Sequence, residues 1–529
     1  MSIQETLYET MDEMLSSADV SDIPLIDLVM EIQDLYLLDD KPWVIGFSGG
    51  KDSTTILSLI YVAVEKLEPE KRHKHIYVVS SDTLVETPMV VDMVNGAVEQ
   101  INIHATKHNL PISAHVVIPK MNQTFWSNLL GKGYPAPTQS FRWCTERMKI
   151  DPVSEFILDK VARFGEVIVV LGARKDEGSS RKANIEGKEK RDENNRIIKR
   201  ARTIDGSKFK RHATLTGAQT YTPIEDWTAD DVWMYLLGAP APWGGDHFEL
   251  FALYKDSSAG ECPLVIDTST PSCGNSRFGC WTCTVVTKDR AMEGLIDSGE
   301  TWLLELKDFR NQLFESTIPA NKEKYRNYKR RTGKVQYARK AIDDDTDTAV
   351  KTIPGPYWME RRQIWLRELL TIERDLNAKG RKITLIQPEE LYAIRREWMF
   401  DPNEPDWADT LPKIYREVYG TDLDWADQDS GAFTEADQAI LKELEAEHEA
   451  PAELAMKLIE LELSMDGLSR RKGLYNSMGS LLNRDWGSLE DIKAKMEAHE
   501  HKPGLKSLDK GYDEKLAELT RLEKELKKI

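Results

Sequence analysis

The stretch from residue 44 to 59 has the residue types that bind a polyphosphate. It reads VIGFSGGKDSTTILSL, an apolar strand that runs into a Ser-Gly-Gly-Lys-Asp-Ser turn and then into a helix. Gly49 and Gly50 let the backbone approach an anion closely, and amides at the start of the helix point at it. The turn supplies further donors from the side chains of Ser48, Lys51 and Ser53.

This turn differs from the Walker A loop, which places four residues between its first glycine and Gly-Lys-Ser/Thr. Asp52, directly after the lysine, is foreign to that pattern. The sequence therefore disfavours transfer of a terminal phosphate and favours binding of a pyrophosphate group. The alternative is a strand-to-helix turn without a ligand, and the match of six residues in this setting argues against it.

Four of the five cysteines fall within 22 consecutive residues. Disulfides are disfavoured in a large chain without an export signal, so a metal or redox site is the better interpretation. Four thiolates hold either zinc or an iron-sulfur cluster. A single Cys-x-x-Cys pair and uneven spacing favour a [4Fe-4S] cluster over zinc. The predicted ligands are Cys262, Cys273, Cys280 and Cys283.

Cys144 lies more than a hundred residues earlier, in the segment FRWCTERMKIDP. The nearby cations Arg142, Arg147 and Lys149 are expected to favour a thiolate or a persulfide. Two roles stay open for this cysteine: it relays sulfur, or it ligates the cluster in place of one of the other four.

The elements that must position these residues alternate between strands and helices from residue 43 to about 231. The pattern predicts strands at 44–47, 76–81, 115–118 and 166–171, and helices at 54–67 and 88–108. This predicts an α/β fold, a doubly wound parallel sheet whose ligand site lies at the carboxyl ends of the strands. Ser48, Asp82 and Gly172 fall at such ends, and Asp52 or Asp82 is a candidate ligand for Mg²⁺.

The chain of 529 residues is long enough for several domains. We expect N-terminal helices at 1–40, the nucleotide-binding domain at 41–240, a cluster segment at 241–290 and a helical C-terminal region at 291–529. The acidic N-terminus is unlike a signal peptide, and no apolar run reaches the length of a membrane span. A cytoplasmic protein without membrane contact is therefore expected.

Two basic segments are candidates for binding nucleic acid, although the whole chain has a formal charge of −18. Residues 181–212 carry twelve Lys or Arg against five acidic residues, and lack core periodicity. Residues 321–340 carry nine Lys or Arg, one Glu and three tyrosines, a combination that suits phosphate contacts and base stacking. Charge runs are also common on solvated helix faces.

The motif SGGKDS after a strand resembles the PP-loop of ATP pyrophosphatases, a superfamily that includes PAPS reductases and tRNA-thiolating enzymes. RWCTERMK, LGARKDEGSSR at 171–181 and YTPIEDWTADDVWMYL at 221–236 resemble the same superfamily. The resemblance implies cleavage of ATP between its α and β phosphates with Mg²⁺. The implied site residues are 48–53, Asp82, Gly172 and Arg174, with catalytic roles for Lys51, Asp52, Cys144 and Arg174.

These motifs, together with the late cysteine quartet and a long C-terminal extension, resemble the sulfurtransferases of the bacterial DNA phosphorothioation (Dnd) system. This implies DNA as substrate, a cysteine desulfurase as sulfur donor, and DndD and DndE as partner proteins. The alternatives are the sister protein of the single-strand phosphorothioation system, a PAPS or APS reductase, a tRNA thiolase, and, from a different class, a non-catalytic scaffold that binds nucleotide and cluster. A pair of adjacent cysteines is expected of APS reductases where this chain has Trp143-Cys144.

Overall fold

The computed structural model describes most of the first 425 residues and parts of the remainder. The described residues are 11, 13–16, 18–20, 23–177, 190–191, 197–199, 209–212, 214–257, 279–337, 352–425, 433–448, 451–464, 473–487, 489–492 and 494. The chain divides into two compact units. Unit 1 comprises Met1–Asn321, Glu360–Glu397 and Leu411–Trp425, and unit 2 comprises Lys322–Met359, Trp398–Thr410 and Ala426–Ile529.

A mostly parallel β-sheet forms the centre of unit 1. In the described residues, the strands are β1 Asp19–Val20, β2 Ile23–Pro24, β3 Trp43–Gly46, β4 Ile76–Ser81, β5 Ile112–Val117, β6 Val167–Val170, β7 Lys190–Arg191, β8 Ile197–Lys199, β9 Lys210–Arg211 and β10 Ala218–Tyr221. Six of them form one sheet in the order β5-β4-β3-β6-β10-β9, where only β9 runs antiparallel to its neighbour. The chain runs outward from β3 to β5 and returns to β6 on the other side of β3. This places the topological switch point between β3 and β6.

Helices cover both faces of this sheet. Those described are α1 Leu25–Leu37, α2 Lys51–Glu65, α3 Pro88–Lys107, α4 Asp151–Phe164, α5 Ala229–Gly238, α6 Phe248–Ser257, α7 Arg290–Asp297, α8 Leu303–Glu315, α9 Lys322–Tyr325, α10 Met359–Ala378, α11 Pro388–Met399, α12 Thr410–Tyr419, α13 Glu435–His448, α14 Ala452–Ser464 and α15 Leu474–Leu482. Two π-helices occur at Ser127–Gly131 and Thr145–Ile150, and 3-10 turns at Pro69–Lys71, Met121–Gln123, Lys175–Glu177 and Pro319–Asn321.

The side chains of the central strands alternate between two apolar layers. Trp43 and Ile45 face the layer formed with α1, α2, α3 and α5, and Val44 faces the layer formed with α4. Strand side chains alternate in this way because their period is two residues, and apolar residues on both faces are typical of a parallel sheet buried on both sides. The doubly wound α/β fold predicted from the sequence is confirmed, as is a helical C-terminal region.

Individual elements lie close to their predicted positions. The strand IYVVSS at 76–81 has the predicted bounds, whereas β5 begins three residues earlier than expected and α2 begins at Lys51, inside the phosphate-loop motif. Trp227 and Trp233 are buried in the core, and Thr228 caps α5 in a capping box with Asp231. No helix among the described residues has the length and apolarity needed to cross a membrane.

Glu390, in the first turn of α11, is fully buried. Its carboxylate accepts a hydrogen bond from the Gln387 amide at 2.9 Å. Burial nevertheless raises the pKa of Glu390 from 4.5 to about 7, against the opposing effect of the Thr124 hydroxyl and nearby amides. A carboxylic acid at this position is therefore stabilising only while it is protonated.

We expect Glu390→Gln to remove part of the pH dependence of stability. Because the folded-state pKa lies above the unfolded value, the stabilising effect is present below about pH 4.5 and is lost as the pH rises through 7. Between pH 5 and 8 the free energy of unfolding should fall by roughly 2 to 3 kcal/mol more in the wild type than in the variant. Urea unfolding at both pH values measures this. The exposed Glu389→Gln is the matched control, and equal pH dependence in wild type and Glu390→Gln would contradict the prediction.

Candidate functional site

The phosphate-loop motif forms a turn between the end of β3 and the start of α2. Gly49 has φ +70°, and a Cβ at this position would lie 2.5 Å from Cγ2 of Val94. Only glycine fits because both the backbone conformation and the space exclude a side chain. The turn is thus held close to α3, with its amides at the N-terminus of α2 in the arrangement that binds anions.

The two serines of the motif bond to each other inside this turn. The Ser53 hydroxyl donates to the Gly50 carbonyl at 2.9 Å and accepts from the Ser48 amide at 3.2 Å. The hydroxyls of Ser48 and Ser53 are 3.1 Å apart, which also places them within hydrogen-bond distance. Ser48 is exposed and Ser53 is buried. The loop is therefore shaped by its own hydrogen bonds, with Ser48 on the side open to a ligand.

Asp52 joins the phosphate loop to the loop that follows β6. Its carboxylate accepts from Nε of Arg174 at 2.6 Å and from Nζ of Lys51 at 3.0 Å. Arg174 is only 3% exposed and also donates to the Trp227 carbonyl at 3.3 Å. The three charged side chains carry one net positive charge at the switch point of the sheet, which suits a polyphosphate. Their predicted catalytic roles stay predictions.

Gly172 allows this close approach of the two loops. A Cβ on Gly172 would lie 2.8 Å from the carbonyl carbon and oxygen of Asp52, which is closer than real Cβ atoms come. The neighbours are backbone atoms at the start of α2 and cannot turn aside as a flexible side chain does. The glycine is therefore needed by packing, independently of any ligand.

Tyr254 of α6 is a contact of the phosphate loop that the sequence did not predict. The Lys51 amide donates to its hydroxyl at 3.4 Å, and Nζ of Lys51 lies 5.7 Å from the centre of its ring. The ring also packs edge-on against Trp233 at 5.1 Å between centroids. No local motif marks Tyr254, since it lies about 200 residues from the loop it contacts.

Asp82 lies after β4, at the same edge of the sheet. Its carboxylate accepts from the Leu84 amide at 2.8 Å, and burial raises its pKa, with a smaller contribution from Glu86. Asp82 directly follows β4, as predicted, whereas Asp52 lies in the first turn of α2. The structure adds that Asp52 is paired with two cations, whereas Asp82 shapes its own loop.

The loop 82–87 contacts the segment that carries two of the predicted cluster ligands. Glu86 and Cys280 form an antiparallel bridge, and the Trp281 amide donates to the Val85 carbonyl at 3.0 Å. Trp281 is buried against Trp126 at 5.8 Å and Phe309 at 6.2 Å between ring centroids. These contacts fix the backbone of Cys280 near the end of β4, which pairs with β3, the strand that leads into the phosphate loop.

Cys144 interacts electrostatically with both Cys280 and Cys283. A thiolate at Cys283 raises the pKa of Cys144, and one at Cys144 raises the pKa of Cys280. Cys283 belongs to the same turn as Cys280, where its amide donates to the Cys280 carbonyl at 3.0 Å. The structure thus brings three cysteines together. Cys262 and Cys273, the other predicted ligands, lie outside the described residues.

Two opposing effects act on the thiol of Cys144. Burial raises its pKa, whereas the neighbouring cations are expected to favour its thiolate, and that expectation stays a prediction. Arg147 instead bonds to Asn128 and lies 4.7 Å from the ring of Tyr134. Lys149 does face the sulfurs: burial lowers its pKa, but Cys280, Glu86 and Cys144 together raise it further.

Three thiols near two cations fit a bound metal centre. Metal ligation deprotonates a thiol outright, which overcomes the burial that otherwise keeps Cys144 and Cys280 protonated. Lys149 and Arg310, whose Nε donates to the Cys283 carbonyl at 2.8 Å, offset the negative charge of the thiolates. Thiolates are the ligands that iron-sulfur clusters take, so the donor set fits such a cluster.

The second basic segment, 321–340, is described up to residue 337 and lies mainly in unit 2. Two of its guanidinium groups are fixed by backbone carbonyls: Arg326 donates to Gly355 and Arg330 to Pro354, at 2.7 and 2.8 Å. Lys324 and Lys334 are exposed. Most of the first segment, 181–212, including Arg181, lies outside the described residues.

The comparisons with known proteins concern the part of the chain that contains both sites. Residues 42–286, just under half of the chain, match the family model of the phosphoadenosine phosphosulfate reductase domain. An uncharacterized protein of Methanocaldococcus jannaschii is 27% identical over 242 residues, which are 46% of this chain and 41% of the relative. The matched region thus spans about two-fifths of the length of that curated relative. The family match supports a PAPS reductase-type domain of the PP-loop superfamily in this region.

Two solved structures share a low overall similarity with the chain. The PAPS reductase of Candida auris in its phosphate complex is 13% identical, with a TM-score of 0.26, over 46% of this chain and 90% of that one. The U34-tRNA thiolase NcsA of Methanococcus maripaludis with its [4Fe-4S] cluster is 12% identical, with a TM-score of 0.25, over 55% of this chain and 79% of that one.

We expect Gly172→Ala to weaken nucleotide binding at least tenfold, because the added methyl group forces the Asp52 backbone away from Arg174. Overpacking of this kind costs about 1 to 3 kcal/mol of stability. The matched control is Gly96→Ala, in α3, where a Cβ meets nothing within 4 Å. The control should bind ATP normally and be more stable by up to about 1 kcal/mol. Equal ATP affinity of Gly172→Ala and Gly96→Ala in calorimetric titrations would refute the packing argument.

A second prediction separates the two roles of Cys144. If Cys144 ligates the metal centre, Cys144→Ser should lower the iron content of anaerobically purified protein to the extent that Cys280→Ser does. A sulfur relay instead predicts a normal iron content and electron paramagnetic resonance spectrum. We expect the first outcome because of the interactions of Cys144 with Cys280 and Cys283. Arg142→Ala, which changes an exposed neighbour, is the control and should retain its iron.

Proposed function

We propose that this protein is an ATP-dependent sulfurtransferase of the DndC type, which replaces a non-bridging oxygen of the DNA backbone with sulfur. One observation carries this proposal: the phosphate loop and the three cysteines lie at neighbouring strand ends of one sheet, joined through the loop 82–87. A site that activates an oxygen with ATP and a site that handles sulfur must share a substrate, so their closeness supports sulfur transfer.

The first step is adenylylation of the backbone phosphate. A phosphate oxygen of the DNA attacks the α-phosphorus of ATP, and the bond to the β-phosphate breaks to release pyrophosphate. The amides at the start of α2 and the Lys51 ammonium are placed to stabilise the charge on the leaving pyrophosphate. Arg174 holds Asp52, which in turn holds Lys51, so the two loops keep the cation in position. Bound Mg²⁺ would offset further charge on the phosphates, with Asp52 or Asp82 as its candidate ligands.

In the second step a sulfur nucleophile attacks the activated phosphorus, and AMP leaves with the original oxygen. Cys144, Cys280 and Cys283 would hold a [4Fe-4S] cluster, together with Cys262 or Cys273; such a cluster supplies an iron site for sulfur or a path for electrons. Lys149 would balance negative charge beside these sulfurs. A cysteine desulfurase is the proposed sulfur source, and DndD and DndE are proposed partners.

DNA contact is assigned in this proposal to exposed cations such as Lys324 and Lys334. The tethered guanidinium groups of Arg326 and Arg330 are already directed by backbone carbonyls, so they lose little conformational entropy on contacting a phosphate. Tyr328 and Trp486 supply aromatic rings on which bases could stack. The centres of these rings lie 5.7 and 6.0 Å from Nζ of Lys329.

We expect Lys51→Ala to lower the rate of AMP and pyrophosphate release by about 10² to 10³, the usual effect of removing one charge-stabilising donor. The assay uses anaerobically purified full-length protein with ATP, Mg²⁺ and DNA. Lys71→Ala, in an exposed turn, is the matched control and should keep full activity. No AMP formation by the wild type would leave the scaffold interpretation as the correct one.

The substrate is identified by analysing nucleic acids from cells that lack the gene and from cells complemented with wild type or Cys280→Ser. Sulfur-containing dinucleotides in DNA hydrolysates should appear only with the wild type. Loss of thiolated nucleosides from tRNA would identify a tRNA thiolase instead. Release of free sulfite by the purified protein from an added sulfated nucleotide, with a dithiol as the two-electron reductant, would identify a reductase of sulfated nucleotides.

A further inference from the structure

Two histidines and a glutamate meet at the end of α2 that is opposite to the phosphate loop. His104 and His108 lie one turn apart at the end of α3, and Glu65 is the last residue of α2. One donor atom from each residue lies within 4.8 Å of the other two. Lys51 and Glu65 are separated by the length of α2, about 21 Å at 1.5 Å per residue. This cluster is therefore separate from the nucleotide and cysteine sites.

The imidazole rings are arranged as a pair. Their centroids lie 3.9 Å apart with an interplanar angle of 8°, and Nδ1 of His108 lies 3.5 Å from a carboxylate oxygen of Glu65. In a tetrahedral site with bonds of 2.0 to 2.1 Å the donor atoms are about 3.3 Å apart. Side-chain movements of about 1 Å would thus bring all three ligand atoms within bonding distance of one ion.

The environment of His104 prepares it as a ligand. Nδ1 of His104 lies 2.8 Å from the buried hydroxyl of Tyr61, which leaves Nε2 of His104 as the atom that can ligate a metal. Ligating histidines usually donate their other N–H to an oxygen, and the Tyr61 hydroxyl is close enough to accept such a bond from Nδ1.

From this arrangement we propose that Glu65, His104 and His108 bind a divalent transition-metal ion of the zinc class. Two histidines at positions i and i+4 of a helix present their nitrogens to one ion, and a carboxylate from a second helix completes three protein ligands. Water fills the remaining position. The ion fastens the C-terminal ends of α2 and α3, which pack on the same face of the sheet, and so stabilises the helix whose other end forms the phosphate loop.

The test measures metal binding by the full-length, anaerobically purified protein with Co²⁺ as the probe. Equilibrium dialysis followed by metal analysis gives the number of ions bound to the wild type, Glu65→Gln and His108→Asn. The cysteine site is the same in all three proteins, so it cancels in the comparison. His73→Asn is the matched control, since His73 lies near the same end of the sheet but outside the cluster.

The wild type and His73→Asn should bind one more equivalent of Co²⁺ than either cluster variant, or bind that equivalent at least tenfold more tightly. Zn²⁺ should raise the melting temperature of the wild type and of His73→Asn more than that of Glu65→Gln, because an ion bound to the folded chain stabilises it. Equal stoichiometry and equal thermal shifts in wild type and both variants would overturn the proposal. Since His108 and Glu65 are only partly buried, either variant decides the outcome if the other fails to fold.

Discussion

The contact between Asp52 and Arg174 determines the geometry of the candidate site. It joins the loop after β3 to the loop after β6, the two neighbouring strands between which the chain reverses direction in the sheet. A buried guanidinium needs a partner, because an unpaired charge in the interior is costly. Asp52 supplies that partner while also holding Lys51, so the pairing that stabilises Arg174 also places the cation nearest to the phosphate loop.

The position of Asp52 also explains why the motif departs from a Walker A loop. In a Walker A loop a hydroxyl follows the lysine and binds Mg²⁺. Here the acidic residue takes that place and connects the loop to the rest of the sheet. Gly172 must then lack a side chain, since the Asp52 backbone occupies the space of its Cβ. The close approach of the two loops thus requires glycine 120 positions after Asp52, whatever side chain residue 52 carries.

Local sequence was sufficient for the sheet and for the phosphate loop, because both depend on short-range patterns. Alternating apolar strands and amphipathic helices predicted the doubly wound fold, and IYVVSS had the correct bounds. Local sequence did not predict the contacts between distant segments. Tyr254 and Cys144 meet their partners only through tertiary packing, and the pKa of Cys144 depends on burial that no spacing reveals. The cations beside Cys144 in sequence pointed to a thiolate, but Arg147 turns toward Asn128 and Tyr134 instead.

The surroundings of Cys280 favour the metal centre proposed for the cysteine site. Backbone bonds to the loop 82–87 and the packing of Trp281 fix this segment, yet they bury Cys280 beside Glu86, where a thiolate is unfavourable. Apolar packing alone would favour a small neutral residue at such a position. A bound metal would resolve this conflict, because ligation would keep the thiolate and Lys149 would balance its charge.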